Sequence, residues 1–285
     1  MASEEPFVGS EAVRSGTLRP HQLRSRFRAV YPDVYVRRDQ QLTLHQRAVA
    51  AWLWSHRRGV LAGLTAAAWH GSKWVDELLP VELVWSNARP PRGLRTYDVR
   101  LRPEEHDVVG GIPVTTPQRT AYDIGRRKPM GTAIAHLDAL LGATDVKVAE
   151  VAEVADRHRG ARGLRQLESA LERVDTGSQS PKESWLRLLI IGAGLPRPTT
   201  QIPVAPSDGT RMYYLDMGWP DLMVAVEYDG EHHRLDRWQY TRDIRRSEAL
   251  ERLGWLVVRV VATDSPADII RRIRAALEFR ASSLR

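Results

Sequence analysis

Residues 222–226 form the segment that most constrains how this chain folds, because all five are apolar at consecutive positions. A strand that is apolar on both faces must be covered on both sides, so the segment predicts an interior strand of a sheet. Glu227 and Asp229 follow directly at its end. Since alternate residues of a strand point to one side of the sheet, these two carboxylates are expected to share a side.

The segments around this strand predict a mixed α/β domain in the C-terminal part of the chain. Strand patterns lie at residues 199–204, 212–217, 222–228 and 255–261, and helical patterns precede, interrupt and follow them. The resulting order is a helix, a three-strand meander, a helix, a strand and a final helix, which needs no long loop. A polar, turn-forming passage at residues 174–181 separates this part from the preceding chain.

The meander brings a third acidic residue, Asp216, next to Glu227 and Asp229. Three carboxylates at the end of a buried sheet repel one another unless protons or a cation offset their charge. A hard divalent ion such as Mg²⁺ takes one or two carboxylates together with phosphate oxygens, and it can activate a water molecule. The cluster therefore indicates a metal site for phosphate chemistry. The alternative is that Asp216 and Asp229 are turn residues at strand ends, which leaves only Glu227 unusual.

Several blocks of this region resemble one nuclease family. Asp216, residues 218–220, residues 226–230 and His233 are similar to a pattern found in the nucleases called domain of unknown function 559. Those nucleases are similar to the very-short-patch repair endonucleases and belong to the PD-(D/E)XK superfamily. The resemblance covers about residues 177–275. It implies a restriction-endonuclease-like mixed sheet flanked by helices.

The resemblance also implies a role for each matching residue. Asp216 and Glu227 would bind Mg²⁺, for which Mn²⁺ can substitute, and Asp229 would assist as a third metal ligand. Asp229 stands where many superfamily members carry a lysine that orients the attacking water. His233 would supply that function or protonate the leaving oxygen. Glu183 corresponds to the acidic residue of the first helix.

Other interpretations of these residues stay open. Glu183 lies three residues after Ser180, which is the spacing of a capping box at the start of a helix. His233 has a histidine as its neighbour, and one of the pair can be merely solvated. Arg242 and Arg246 are expected on one side of the long helix, where they either hold phosphates or form a solvated face.

The N-terminal half resembles a second family. Residues 23–35, 59–71 and 111–123 look like parts of the AbiEi-type antitoxins and transcription regulators, over about residues 10–130. The first of these segments corresponds to the end of that family's winged helix. The stretch before Leu23 is too short for all the helices of a winged helix, and Asp33 stands where the wing is expected to carry glycine.

The same segment suggests where a nucleic acid would bind. Arg24, Arg26 and Arg28 could contact a duplex backbone and give it salt-dependent affinity with little sequence preference. The chain has 42 Lys and Arg against 35 Asp and Glu, and this net charge of +7 favours a polyanionic partner. The alternative is that the three arginines form a solvated basic surface.

Composition excludes several other classes of protein. Cysteine is absent, so disulfides, thiolate zinc sites and a cysteine nucleophile are excluded. No apolar run approaches the roughly 20 residues of a membrane-spanning helix. Glu4 and Glu5 stand where a secretory signal carries positive charge, so a cytoplasmic location is expected.

Three domains are expected in total. They are a degenerate winged-helix-like domain at residues 1–75, an AbiEi-like middle region with a helical linker at 76–176, and the nuclease domain at 177–285. The predicted function is Mg²⁺-dependent hydrolysis of phosphodiester bonds in repair, defence or a toxin–antitoxin-like setting, with DNA as the expected substrate and a homodimer as a possible assembly. The alternative is a DNA-binding antitoxin-like regulator without enzymatic activity, whose nuclease fold is degenerate.

Overall fold

The computed structural model of the protein describes residues 5–87, 89–205, 212–230 and 237–283, the last range without the side chains of 237–243. The chain divides into two compact units, Met1–Glu172 and Arg173–Arg285. Helices and mixed or antiparallel sheets are found together, so the α/β (α+β) class predicted from the sequence is confirmed. Among these residues, no helix is both long and apolar enough to cross a membrane.

The N-terminal unit begins with a small sheet in which the strand order is β1-β3-β2. Its elements are β1 (Phe7–Val8), α1 (Gly9–Arg14), α2 (Pro20–Arg26), β2 (Phe27–Tyr31) and β3 (Val34–Arg37). The central strand β3 pairs antiparallel with both neighbours. The two helices have only six and seven residues, which agrees with the short stretch of sequence available before the hairpin.

A second sheet of five short strands follows in the same unit. The strands are β4 (Val60–Leu61), β5 (Val81–Val84), β6 (Leu94–Tyr97), β7 (His106–Val109) and β8 (Ile112–Thr115). Their order is β6-β5-β4-β8-β7, with parallel pairs β5–β6 and β4–β8 and antiparallel pairs β4–β5 and β7–β8. The domain boundary predicted between residues 75 and 76 runs through this sheet, because β4 lies before it and the other four strands lie after it.

The remaining helices of the N-terminal unit pack around these sheets. They are α3 (Leu44–Trp54), α4 (Gly63–Trp69), α5 (Pro117–Arg127), α6 (Met130–Ala143), α7 (Val148–Arg157) and α8 (Leu164–Leu171). One hydrophobic core joins Val34 of the small sheet, Leu44 and Ala48 of α3, and Leu83 and Val114 of the five-stranded sheet. The residues on both sides of the predicted boundary therefore bury a common core.

The C-terminal unit has the order of elements predicted from the sequence. The elements are α9 (Pro181–Gly192), β9 (Thr199–Val204), β10 (Tyr213–Trp219), β11 (Val224–Asp229), α10 (Arg237–Arg252), β12 (Leu256–Val261) and α11 (Pro266–Ser283). The sheet order is β12-β11-β10-β9. The three-strand meander β9–β10–β11 is antiparallel, and β12 pairs parallel with β11.

The interior strand β11 is covered on both faces, as its apolar run predicts. Val224 and Val226 belong to a core that includes residues of α9 and α11, whereas Ala225 belongs to a second core that includes Leu250 of α10. All three strand residues are fully buried. The strand begins at Val224 and not at residue 222, because Pro220–Leu222 forms a short 3₁₀ helix and Met223 has a left-handed φ of 54°.

Candidate functional site

Asp216 and Glu227 occupy neighbouring positions on the antiparallel strands β10 and β11. The register pairs Met217 with Val226, which places the two acidic residues next to each other one step further along the ladder. Glu227 is only 7% exposed. Asp216 is half-buried, and its Oδ2 accepts a hydrogen bond of 2.8 Å from the backbone amide of Tyr228. The register of the sheet therefore places Asp216 and Glu227 next to each other.

Burial and neighbouring charges make the ionised form of Asp216 unfavourable. Burial, and to a smaller extent the carboxylates of Glu183 and Glu227, raise the pKa of the Asp216 carboxyl to about 7. The amide of Tyr228 and the guanidinium of Arg246 oppose this rise. Three carboxylates and one arginine are thus close enough to act on one another electrostatically, and we call these four residues the acidic site.

Glu183 makes the contacts of a helix cap. It lies in the first turn of α9, where Ser180 is the N-cap and accepts a hydrogen bond from the Glu183 amide. The Glu183 carboxylate accepts hydrogen bonds from the Ser180 hydroxyl at 2.9 Å and from the Gln179 amide at 2.8 Å. Burial nevertheless raises its pKa above the ordinary value. Glu183 therefore has the capping role that was considered as the alternative for it. A catalytic role for Glu183 stays a prediction.

Arg246 of α10 holds the carboxylate of Glu227 with both ends of its guanidinium. Nη1 donates to Oε2 at 3.0 Å and Nη2 donates to Oε1 at 2.5 Å. Nη2 also donates to the carbonyl oxygen of Tyr214 at 2.7 Å. The sequence pattern suggested phosphate contact or solvation for this arginine, and neither anticipates an ion pair with a proposed metal ligand.

The other predicted residues of the site lie at its margin or outside the described chain. Asp229 ends β11 and is exposed, and it is not among the charges that shift the pKa of Asp216. In the described parts of the chain, no three acidic or histidine side chains are grouped so that they could hold a metal ion. His233 falls outside the described residues, as does the side chain of Arg242.

Lys182, which precedes Glu183 on α9, is a further basic residue that the sequence interpretation did not single out. Its Nζ lies 5.8 Å from the centre of the Tyr228 ring, and Tyr228 is the residue whose amide binds Asp216. An ammonium over an aromatic face is an attractive contact. The contact joins α9 to β11 across 46 residues of sequence, so no local motif could have indicated it.

The arginines proposed for nucleic-acid contact differ in how far they are available. Arg24 and Arg26 are exposed on α2. Arg28 lies on β2 and donates a hydrogen bond of 2.7 Å to the carbonyl oxygen of Gln40. Its guanidinium is therefore engaged in a contact within the protein. Asp33 turns the hairpin with a left-handed φ of 59°, and its carboxylate binds the amide and hydroxyl of Ser10 at the start of α1.

The N-terminal unit also contains a buried ionic network. Arg119 of α5 pairs with Glu105 and with Asp123, and all three side chains are at most 3% exposed. His158 also contacts Glu105, and Arg126 binds Asp123 at 2.8 Å. The carboxylates therefore have several donors each, which is the arrangement that allows buried charges to be stable.

Comparison with known proteins supports one of the two resemblances. Residues 57–173 match the family model of the AbiEi antitoxin C-terminal domain. This part of the chain is similar to that domain. The match overlaps the range of about residues 10–130 expected from the sequence and extends beyond it to α8. The likeness of residues 177–275 to the domain of unknown function 559 nucleases stays a prediction.

Two proteins of Mycobacterium tuberculosis are similar to almost the whole chain. They are "Uncharacterized protein MT2308" of strain CDC 1551 / Oshkosh and "Uncharacterized protein Rv2248" of strain ATCC 25618 / H37Rv. Each is 29% identical over 255 residues, which cover 87% of this chain and 92% of the relative. Because so little of the chain is left out, the similarity extends from the AbiEi-like region into the C-terminal unit.

Proposed function

We propose that the C-terminal unit is a divalent-cation-dependent nuclease that hydrolyses phosphodiester bonds, with DNA as its substrate. The observation that carries this proposal is the placement of Asp216 beside Glu227 on neighbouring strands, where burial together with the carboxylates of Glu183 and Glu227 raises the pKa of Asp216 to about 7. A site of this kind favours either a proton or a cation. Mg²⁺ or Mn²⁺ would stabilise it and would supply an activated water next to a bound phosphate.

Each residue of the acidic site has a distinct part in this proposal. Asp216 and Glu227 would hold the cation from neighbouring strands, since one or two carboxylates are the usual protein ligands of Mg²⁺. The amide of Tyr228 donates to Oδ2 of Asp216, so the other carboxylate oxygen would be the one to bind a cation. Glu183 adds negative charge from α9. Lys182, which precedes it on the same helix, would be the residue to orient a phosphate or a water.

Incubation of the protein with supercoiled plasmid tests the proposal. Nicking is expected with Mg²⁺ or Mn²⁺ and not with EDTA, and Asp216→Asn or Glu227→Gln should lower its rate by at least about a hundredfold. Asp221→Asn is the matched control, because Asp221 is an exposed acidic residue between the same two strands. Cleavage by the Asp216 or Glu227 variant at the rate of the unmodified protein would contradict the proposal.

A second candidate function is a nucleic-acid-binding regulator that does not cleave. It is favoured by the match of residues 57–173 to an antitoxin domain, which suggests a toxin–antitoxin context, and by the Arg246–Glu227 ion pair, which satisfies Glu227 without any cation. This candidate predicts a gel shift of duplex DNA in EDTA and intact plasmid with every divalent cation. Metal-dependent nicking that Asp216→Asn abolishes would rule it out as the sole function.

A further inference from the structure

We propose that Arg246 is a displaceable counter-ion of the acidic site, so that a divalent cation binds Glu227 only when this arginine leaves it. The inference rests on the proposed function and concerns the regulation of the same site. Both carboxylate oxygens of Glu227 accept hydrogen bonds from Arg246, at 3.0 and 2.5 Å. A cation that uses Glu227 as a ligand needs those same oxygens.

The burial of the pair makes this competition strong. Glu227 is 7% exposed, and water therefore does little to weaken its attraction to the guanidinium. Charge-assisted bidentate pairs of arginine and carboxylate are among the strongest polar contacts in proteins. The cation must therefore replace one favourable partner of Glu227 with another.

The position of Arg246 also indicates where its guanidinium goes after displacement. Its side chain is 28% exposed, so it borders solvent, whereas Glu227 lies further inside. The planar guanidinium fork fits two oxygens of a phosphate as well as those of a carboxylate. A phosphodiester arriving at the site would thus take up the arginine that the cation releases. Cation and nucleic acid are then expected to strengthen each other's binding. The cation frees Arg246 to bind a phosphate, and the phosphate holds Arg246 away from Glu227, where the cation binds.

Direct measurement of Mn²⁺ binding tests the inference without relying on cleavage. Isothermal titration or electron paramagnetic resonance would compare the full chain with its Arg246→Gln and Arg246→Lys variants. Arg246→Gln is expected to bind Mn²⁺ about tenfold more tightly, because Glu227 loses its competing partner. Arg246→Lys should lie between the two, since a lysine keeps the charge but cannot form the bidentate contact. Arg245→Gln removes an exposed arginine from the neighbouring position and should bind Mn²⁺ like the unmodified protein.

The possible results separate this inference from the proposed function. If the unmodified protein binds Mn²⁺ and neither Arg246 variant binds it more tightly, Arg246 does not compete and the inference fails, while the nuclease proposal stands. If no variant binds Mn²⁺, although circular dichroism shows native folding, both proposals fail. Tighter Mn²⁺ binding together with slower plasmid nicking in Arg246→Gln would support both proposals. Arg246 would then compete with the cation for Glu227 and also bind the phosphate of the substrate.

Discussion

At the scale of single residues, Glu82 is a buried acidic side chain that holds several parts of the N-terminal unit together. It is 3% exposed on β5, and it accepts hydrogen bonds from the Leu64 amide at 2.6 Å, the Tyr97 hydroxyl at 2.7 Å and the Lys128 ammonium at 2.9 Å. Glu82→Gln leaves Lys128 without its counter-ion, and breaking a buried pair in this way costs about 3 kcal/mol. Urea denaturation followed by tryptophan fluorescence should show this loss. Glu104→Gln, at an exposed acid of the same unit, should change the stability by less than about 0.5 kcal/mol.

Asp216 gives the C-terminal unit a stability that depends on pH. Because its pKa rises from the ordinary 3.8 to about 7 on folding, its ionisation opposes folding, and metal-free stability is expected to fall as the pH rises from about 4 to 7. Asp216→Asn keeps an acceptor for the Tyr228 amide and removes the charge. In EDTA the variant should be more stable by up to about 4 kcal/mol at pH 8, with little difference at pH 4. An equal gain in stability at both pH values, or the same pH trend in Asp221→Asn, would show that the ionisation of Asp216 is not the cause of the pH dependence.

At the scale of elements, the sequence predicts strands and helices well but not how they face one another. The apolar run before Glu227 predicts β11 correctly, since burial on both faces leaves a signal in consecutive residues. The pairing of Arg246 with Glu227 leaves no such signal, because it depends on the rotation of α10 about its axis. The same holds for Asp229, because the spacing of residues along a strand does not indicate that its side chain is exposed.

The hairpin β2–β3 shows how one residue replaces the glycine expected in a turn. Asp33 adopts a left-handed φ of 59°, and its carboxylate caps α1 through Ser10. Asp33→Gly keeps the backbone unstrained but loses the cap, so a loss of about 1 kcal/mol is expected. Asp33→Ala loses the cap and adds left-handed strain, for a total of about 2 kcal/mol. Urea denaturation should rank the two in that order, with Asp107→Ala as an exposed control; a glycine variant less stable than the alanine variant would exclude this explanation.

At the scale of the whole molecule, the least predictable feature is the five-stranded sheet of the N-terminal unit. Its strand β4 has two residues, and it pairs with β8 about fifty residues later in the chain. A strand this short has no periodic pattern, so no feature of the sequence indicates that residues before and after 75 lie in one sheet. The C-terminal meander was predictable because its strands are longer and consecutive in the chain. In the acidic site, Asp216 and Glu227 could be predicted because they lie on these strands, whereas the contact with Arg246 of α10 could not.

The net charge of the whole chain and the local arginines of α2 make different predictions for nucleic-acid binding. If Arg24 and Arg26 each contact a phosphate, Arg24→Gln/Arg26→Gln should lower the slope of log affinity against log salt concentration by about 2, measured on duplex DNA in EDTA. Arg159→Gln/Arg165→Gln removes the same charge from exposed positions elsewhere in the N-terminal unit and should leave the slope nearly unchanged. Equal effects of the two double variants would mean that the overall charge of +7, and not the surface of α2, attracts the nucleic acid.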